Sequence, residues 1–297
     1  MPKPTVPFVG SYDDLRELHL LHHVFSLPQL DSIRNNPKAV LAAIDDFVKV
    51  TDKGLMTIGP NKGAFISQLI HDRKPSTMIE LGGFVGYSAI LFGDALRAAG
   101  GKRYLSLEIN PVNAAIANQL VELAGLRDIV TVLVAPSHKS IARLVRENEL
   151  NEDSGIELLF IDHWKDRYVY DLWLIESLGL LKPGVSVIVA DNCIVPGAPE
   201  YLEWVRASPA EKAAQLKRRE FPENVLQGAA LIKAVRSGAE NLELENVPGD
   251  PSYVYETSLT KIEMGPGRIV SSSVIYLEAF TEILQDGVEV TKVVGKE

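Results

Sequence analysis

Three oxygen-bearing side chains follow two short apolar runs in the middle of the sequence. The run Glu157–Ile161 ends at Asp162, and the run Val185–Ala190 ends at the pair Asp191 and Asn192. Short continuous apolar runs are typical of buried parallel strands, and ligands of open α/β sheets bind beyond the carboxyl ends of such strands. If the two strands are neighbours, two carboxylates and one amide converge there. This incomplete oxygen cage suits Mg²⁺, which keeps several waters and also binds substrate oxygens.

A plainer interpretation is open for each carboxylate taken alone. Asp is a favoured N-cap residue, so Asp162 and Asp191 could each begin a helix after a strand. The presence of both, together with Asn192, favours the cation site over two unrelated caps. Lys165, three residues beyond Asp162, would by itself most often be a solvated surface lysine, and Trp164 could be ordinary core.

A glycine loop follows an earlier apolar run and could bind a second ligand. It reads Glu80-Leu-Gly82-Gly83-Phe-Val-Gly86, which is not the dinucleotide pattern G-x-G-x-x-G. An acid ahead of the loop suits a cationic or amine-bearing ligand better than the pyrophosphate that helix starts bind. Glu108, at the end of the next strand, is placed to accept hydrogen bonds from ribose hydroxyls. Together these features favour S-adenosylmethionine over NAD, although a tight turn and a solvated strand end remain the plainer alternatives.

Strand-like and helix-like segments alternate along most of the chain, which predicts a doubly wound, mostly parallel α/β sheet. Five such strands precede residue 191, and two later ones, Tyr253–Met264 and Asp286–Val294, predict an antiparallel edge pair that completes a seven-stranded sheet. We expect one domain over residues 1–297. It carries an N-terminal helical cap (about 12–50) and a C-terminal insertion (about 207–250).

Several predicted element bounds matter for the site. Residues Gly54–Gly63 read as a turn-rich loop that leads into a helix from about Ala64 to His71. A later helix is predicted over Ser140–Glu149. The charged, alanine-rich stretch Ala207–Arg236 reads as helical, and another helical segment is expected near Val274–Leu284.

The composition limits the partners that the protein can have. The chain of 297 residues carries a net charge of −9, which argues against nucleic acid or an anionic membrane as its main partner. The single cysteine, Cys193, excludes an intrachain disulfide and fits a reducing compartment. No signal-peptide core and no run of about 18 apolar residues is evident. We therefore expect a cytoplasmic monomer or homodimer.

Five sequence blocks make the chain similar to the catechol O-methyltransferase family over about residues 15–206. The most specific are Asp-His-Trp-Lys-Asp-Arg-Tyr (162–168) and Asp-Asn followed by Pro-Gly-Ala-Pro (191–199). The complete blocks are Leu55–Gly63, Ile79–Ser88, Leu107–Pro111, Ile161–Tyr168 and Ala190–Pro199. The resemblance implies a Rossmann-like methyltransferase fold, with S-adenosylmethionine and Mg²⁺ as cofactors and a small aromatic diol as substrate.

The resemblance also implies a role for individual residues. It makes Asp162, Asp191 and Asn192 the Mg²⁺ ligands, Lys165 the general base and Glu108 the acid that holds the cofactor ribose. The other cofactor positions that it implies are Met56, Glu80, Gly82, Gly86, Tyr87, Ser88, Ser137, His138, Asp162 and Trp164. The substrate positions that it implies are Lys165, Asn192, Pro196 and Glu256.

The sequence departs from the family at a few positions, which concern the acceptor more than the reaction. Gly54 stands where the family has a tryptophan wall, and His138 stands where it has glutamine. The family's late glutamate has no clear match, and Glu256 is the nearest candidate. We therefore retain alternatives: an O-methyltransferase of a larger phenolic natural product, a non-catalytic protein that binds S-adenosylmethionine, and a nicotinamide dehydrogenase.

Overall fold

A seven-stranded sheet forms the centre of the protein, described by a computed structural model over residues 14–51, 53–263 and 285–297. The strands are β1 Thr77–Leu81, β2 Arg103–Glu108, β3 Val130–Val134, β4 Leu158–Ile161, β5 Val187–Ala190, β6 Tyr253–Glu263 and β7 Gln285–Lys296. Their order is β3-β2-β1-β4-β5-β7-β6. The first five are parallel, whereas β7 runs antiparallel to both β5 and β6. The predicted fold class, including the antiparallel edge pair, is confirmed.

Helices cover both faces of the sheet. They are α1 Arg16–Phe25, α2 Leu30–Ile33, α3 Pro37–Thr51, α4 Pro60–Arg73, α5 Tyr87–Ala98, α6 Pro111–Leu123, α7 Ser137–Arg146, α8 Tyr168–Ser177, α9 Pro199–Arg206, α10 Pro209–Lys217 and α11 Gly228–Arg236. Successive strand residues point to opposite faces, so Phe160 packs with α1, α3 and α5 while Leu159 packs with α7, α8 and α9. Burial on both faces explains why the parallel strands are apolar throughout.

Two helices begin earlier than the sequence pattern predicts. Helix α4 begins at Pro60 instead of near Ala64, because proline at the first helical position loses no helical hydrogen bond. Lys62 therefore lies in the first turn of a helix and not in a loop. Helix α7 also begins earlier than predicted, at Ser137, directly after Pro136. Its first turn has no apolar periodicity from which a helix could have been predicted.

The predicted helical stretch 207–236 contains two helices separated by an irregular segment. Ser208 begins α10 with a capping box, in which its hydroxyl accepts from Glu211 N and the Glu211 carboxylate accepts from Ser208 N at 2.8 Å. Helix α11 follows after a Phe-Pro-containing segment, where proline prevents a continuous helix. The helical segment predicted near residues 274–284 lies outside the described residues, as does the proline-rich beginning of the chain.

Candidate active site

The ends of β4 and β5 place the three predicted oxygen ligands at one edge of the sheet. Ile161 pairs with Ala190 in the parallel register, so Asp162 and Asp191 follow adjacent strand ends. The backbone confirms the register, because Asp191 N donates to Ile161 O at 3.0 Å. Asp191 and Asn192 are buried, whereas the Asp162 side chain keeps 23% of its surface exposed. The site is therefore open on the Asp162 side and closed beneath Asp191.

Lys165 stands beside Asp162 in a short 3₁₀ turn, Lys165–Arg167. Its Nζ donates to Asp162 Oδ1 at 3.0 Å and to the Tyr168 hydroxyl at 2.5 Å. That hydroxyl in turn donates to Asp191 O at 3.2 Å. Burial, reinforced by the charges of Asp162 and Asp191, raises the pKa of Tyr168 well above its usual value, so the phenol stays protonated. The predicted base is thus held by two partners that both touch the candidate cation site.

A second lysine, Lys62 of α4, contacts the same edge of the sheet. The sequence pattern did not indicate it. Lys62 Nζ donates to both Asp191 carboxylate oxygens, at 2.7 and 2.8 Å, and to Asp286 Oδ2 at 2.9 Å. Lys62 is only 5% exposed. Burial lowers its pKa, but the charges of Asp191 and Asp286 more than offset that effect and leave the pKa above its usual value. The Asp191 pKa rises to about 6, because of burial first and the neighbouring Asp162 second.

Asp286, at the beginning of β7, joins Lys62 to the remaining predicted ligand. Its Oδ2 also accepts from Asn192 Nδ2 at 2.8 Å. Its Oδ1 accepts from three backbone N–H groups, those of Ile194 at 3.3 Å, Val195 at 2.9 Å and Gly287 at 2.6 Å. The carboxylate is fully buried, and the charge of Lys62 together with these hydrogen bonds outweighs its burial and lowers its pKa. The sequence contained no signal for this residue beyond its place at the start of a predicted strand.

The donor set at this edge fits Mg²⁺ in chemical type. Asp162 and Asp191 offer carboxylate oxygens, and Asn192 offers an amide oxygen, all of them hard ligands. Among the described residues, no three His, Cys, Asp or Glu side chains are grouped in a way that could hold a metal ion. Two carboxylates with an amide leave room for water and substrate oxygens, as Mg²⁺ requires.

The glycine loop after β1 lies against the end of β4 at very close range. Gly82 has a φ of +99°, and a Cβ there would stand 2.6 Å from Asp162 O. Gly86 has a φ of +88°, and its Cβ would meet the Ala117 Cβ at 2.9 Å. Only glycine accepts both the conformation and the approach. The loop is therefore held directly beside the candidate cation site, between β1 and α5.

Glu108 closes the other side of this loop and is not the solvated strand end that was one interpretation. It is 6% exposed, and its carboxylate accepts from Phe84 N and from Asn110 N, both at 2.7 Å. Burial raises its pKa to about 7, although these hydrogen bonds act in the opposite direction. Its position over the loop suits a ligand with hydroxyl groups, which would supply further donors to the carboxylate.

Glu80 lies in the interior beneath the loop. Its side chain has no exposed surface and accepts from Ser106 Oγ at 2.5 Å. Burial raises its pKa to about 7. Gly83 lies over this pair, and a Cβ at Gly83 would collide with Ser106 Oγ. Glu80, predicted as a cofactor position, therefore lies beneath the loop and not on its surface.

The other predicted cofactor residues surround the loop at different depths. Tyr87 and Ser88 are buried in the first turn of α5, and the Tyr87 hydroxyl donates to Asp45 Oδ2 of α3 at 3.2 Å. Met56 is half-buried just before α4. The N-terminal cap therefore packs onto the same loop that is expected to hold the methionine half of the cofactor.

The beginning of α7 and the segment around Glu245 line one pocket of the structure. Ser137 and His138 begin α7, and His138 Nε2 lies 3.4 Å from Glu245 Oε1 of the insertion. Burial lowers the pKa of His138. Trp164, just after β4, is 47% exposed, so it is not ordinary core. Pro196 is exposed in an irregular turn, Cys193–Gly197, that follows Asn192.

Glu256 is the one predicted site residue that the structure does not bring to this edge. It lies on β6 opposite Lys292, six positions from the pair Ile262 and Asp286, which is about 20 Å along a strand. Its carboxylate is exposed and forms an ion pair with Lys292 at 3.2 Å. The antiparallel direction of β7 explains the difference, because only the beginning of that strand meets the carboxyl ends of β4 and β5.

The fold and site together define a Rossmann-like methyltransferase architecture. Comparison of whole chains finds the O-methyltransferase TomG of Streptomyces achromogenes, solved with S-adenosylmethionine, at a TM-score of 0.50 and 17% identity. The alignment covers 86% of this chain and 90% of that one, a likeness that concerns the fold alone.

Sequence comparison then gives the family. The family model described as O-methyltransferase matches residues 33–216, more than half of the chain. Bovine (Bos taurus) catechol O-methyltransferase is 38% identical over 193 residues, which cover 65% of this chain and 67% of the relative. The pig (Sus scrofa) enzyme of the same name is 42% identical, with 51% and 78% covered. The chain therefore belongs to the O-methyltransferase family and is an S-adenosylmethionine-dependent methyltransferase.

More distant relatives carry a different name. A transmembrane O-methyltransferase homolog of the mouse (Mus musculus) is 31% identical over 204 residues, covering 68% of this chain and 76% of that one. Within the residues described here, no helix is both long enough and apolar enough to cross a bilayer.

Proposed function

We propose that the protein transfers the methyl group of S-adenosylmethionine to one hydroxyl of a catechol-type substrate, with Mg²⁺ bound at the edge of β4 and β5. The observation that carries this proposal is the convergence of Asp162, Asp191 and Asn192 with the Lys165 ammonium, 3.0 Å from Asp162. Relatives named catechol O-methyltransferase support the substrate class.

Asp162, Asp191 and Asn192 would hold the cation. Bound Mg²⁺ supplies Lewis acidity, which lowers the pKa of a coordinated hydroxyl and fixes its direction. The Asp162 side faces solvent, so it leaves a path by which two vicinal hydroxyls can enter. Asp191 is buried and bonded to Lys62, so it would hold the cation from the buried side of the site.

Lys165 would first lose a proton to solvent and then, as a neutral amine, accept the proton of the reacting hydroxyl at Nζ. Its two present partners, Asp162 and the Tyr168 hydroxyl, hold Nζ beside the cation ligands instead of in bulk water. A positioned base of this kind contributes about 10²–10⁴-fold to a rate. Tyr168 cannot replace it, because burial keeps that phenol protonated.

Glu108 and the glycine loop would hold the methyl donor. The Glu108 carboxylate would accept hydrogen bonds from ribose hydroxyls, and the exposed Trp164 offers a flat apolar face for a purine. Because the backbone at Gly82 contacts the backbone of Asp162, a methyl donor bound at the glycine loop would lie next to an acceptor bound at the cation site. Fixing both reactants in line can supply about 7–11 kcal/mol of the barrier.

The first test replaces the proposed base. Lys165→Ala should lower kcat with a catechol by about 10²–10⁴-fold, while the Kd for S-adenosylmethionine, from isothermal titration, stays within about twofold. The matched control is Lys139→Ala, an exposed lysine on α7. Near-normal turnover of the Lys165 variant would rule out its role as base.

A second test concerns the cation. Removal of divalent metal with a chelator should stop turnover, and added Mg²⁺ should restore it. Full activity in the chelator would refute the cation site, while leaving the family assignment and the methyl donor untouched.

An O-methyltransferase of a larger phenolic natural product is the alternative, and two observations favour it. Gly54 leaves the family's tryptophan wall absent, and Glu256 lies far from the reacting edge. A screen of small catechols against bulky phenolic acceptors with labelled donor separates the two.

The expected cytoplasmic location stays a prediction.

A further inference from the structure

We propose that Asp286, together with Lys62, is a positioning residue for the cation site: its carboxylate fixes the orientation of the Asn192 amide and, through Lys62, the Asp191 carboxylate. This inference rests on the proposed Mg²⁺ site. Asp286 belongs to neither of the strands that end in the predicted ligands, and it lies outside the part of the chain that the family model matches.

The Asn192 amide has two different ends, only one of which can bind a cation. Its Nδ2 donates to Asp286 Oδ2 at 2.8 Å. A flipped amide would place its oxygen against that carboxylate oxygen, two acceptors with no hydrogen between them. Asp286 therefore holds the amide in one orientation, with the nitrogen engaged and Oδ1 left as the end available to a cation.

The Asp286 carboxylate is itself fixed on its other side. Oδ1 accepts from Val195 N and Gly287 N, so the carboxylate cannot rotate without losing backbone hydrogen bonds in a fully buried place. A buried N–H that loses its acceptor costs about 1–3 kcal/mol. The backbone of β7 and of the turn after Asn192 thus sets the direction in which Asn192 points.

Lys62 links the same carboxylate to Asp191. Its ammonium donates to Asp286 Oδ2 and to both oxygens of Asp191. The positive charge lets two buried carboxylates stand close together in their ionised forms. Each oxygen of Asp191 keeps a further lone pair, so the carboxylate can be held by Lys62 and still accept a cation.

The test measures divalent cation binding directly, with Mn²⁺ as the probe and the complete chain as the protein. Free Mn²⁺ is followed by electron paramagnetic resonance. We expect Asp286→Asn to weaken Mn²⁺ binding about 10–100-fold, the usual effect of changing a residue that orients a metal ligand. Binding of S-adenosylmethionine without metal, from titration calorimetry, should stay within about twofold.

The matched control is Glu289→Gln on the same strand. Glu289 is also fully buried and also paired with a cation, since Arg206 donates to its two oxygens at 3.0 Å each. It is not bonded to Asn192 or Asp191. Its substitution removes a buried charge from β7 and should leave the Mn²⁺ affinity unchanged, even where thermal unfolding shows a loss of stability.

A double-mutant cycle distinguishes orientation from general damage. In an Asn192→Ala background, the ligand that Asp286 orients directly is absent, so Asp286→Asn should lower the Mn²⁺ affinity by clearly less than it does in the parent chain, and the remaining effect is the part that acts through Lys62 and Asp191. Three outcomes would each overturn this inference without affecting the proposed cation site. They are full additivity of the two substitutions, an unchanged Mn²⁺ affinity of Asp286→Asn, and an equal loss of Mn²⁺ affinity in Glu289→Gln. If the parent chain does not bind Mn²⁺, the proposed cation site fails, and this inference fails with it.

Discussion

Two lysines are buried in the described part of the chain, and their surroundings differ. Lys62 faces two carboxylates, Asp191 and Asp286, at the edge of the sheet. Lys212, on α10, donates to Tyr253 O at 2.7 Å and lies 3.9 Å from the centre of the Tyr255 ring. The first lies in a cluster of charges, whereas the second lies against aromatic rings.

The pKa values follow this difference. The two carboxylates leave the Lys62 pKa above its usual value despite burial. Burial dominates at Lys212 and lowers its pKa to about 8, with Glu176 acting in the opposite direction. Burial alone therefore does not decide whether a lysine stays charged. The Lys62 ammonium is bonded to two carboxylates, which offset its burial, whereas the Lys212 ammonium is bonded to a carbonyl oxygen.

The largest expected effect comes from replacing each lysine with methionine. Lys62→Met leaves two buried carboxylates without a partner, which costs about 3–5 kcal/mol of unfolding free energy. Lys212→Met places an apolar chain beside the Tyr255 and Trp204 rings and leaves Glu176 its own donors. It removes the hydrogen bond to Tyr253 O, for a cost of about 1 kcal/mol.

Urea unfolding measures both variants, and turnover separates them further. We expect Lys62→Met to lose activity and Lys212→Met to keep it. If both substitutions lowered the unfolding free energy equally, the comparison would fail. The loss of a lysine would then not depend on whether carboxylates or aromatic rings surround its ammonium.

The second-largest effect is a dependence of the unfolding free energy on pH, and it comes from Glu176, the carboxylate whose charge acts on Lys212. Burial raises the pKa of Glu176 from 4.5 to about 7. Between these values the folded protein keeps a proton that the unfolded chain has lost, so this group makes stability fall as pH rises, and the penalty is complete above about pH 7.

Unfolding of Glu176→Gln at pH 5 and pH 8 measures the contribution. The stability of the parent relative to the variant should be about 1–3 kcal/mol lower at pH 8 than at pH 5, since each pKa unit corresponds to about 1.4 kcal/mol. A difference that does not change with pH would mean that Glu176 titrates normally.

The smallest effect belongs to a lysine–carboxylate pair near the surface. Lys292 of β7 and Glu256 of β6 stand opposite each other at 3.2 Å, with side chains that are 44% and 65% exposed. Lys292→Met should change the unfolding free energy by less than about 0.5 kcal/mol, and added salt should remove even that. Thermal unfolding at low and high salt provides the measurement. A larger loss would show that the charge pair matters without burial.

Much of the fold and part of the site could be predicted from the sequence. Parallel strands that end in polar residues must present those residues at one edge, so Asp162, Asp191 and Asn192 could be placed together from their position alone. Glu108 could be placed at the end of β2 by the same rule. Its burial could not, because burial depends on how the glycine loop returns over it.

The Lys62 and Asp286 positions could not be predicted. Lys62 lies 129 residues from Asp191 and 224 from Asp286, and no local periodicity encodes such contacts. The start of α4 at Pro60 was a local signal that could have placed Lys62 on a helix. Nothing similar marks Asp286, whose role follows only from the antiparallel direction of β7.

The direction of β7 has a consequence for folding. Lys62 and Asp286 are 224 residues apart in the sequence, and their contact needs β7 paired antiparallel to β5. Contacts between residues so far apart close a large loop and are intrinsically slow to form. We therefore expect the charge cluster to be completed after the local helix and strand pairs have formed.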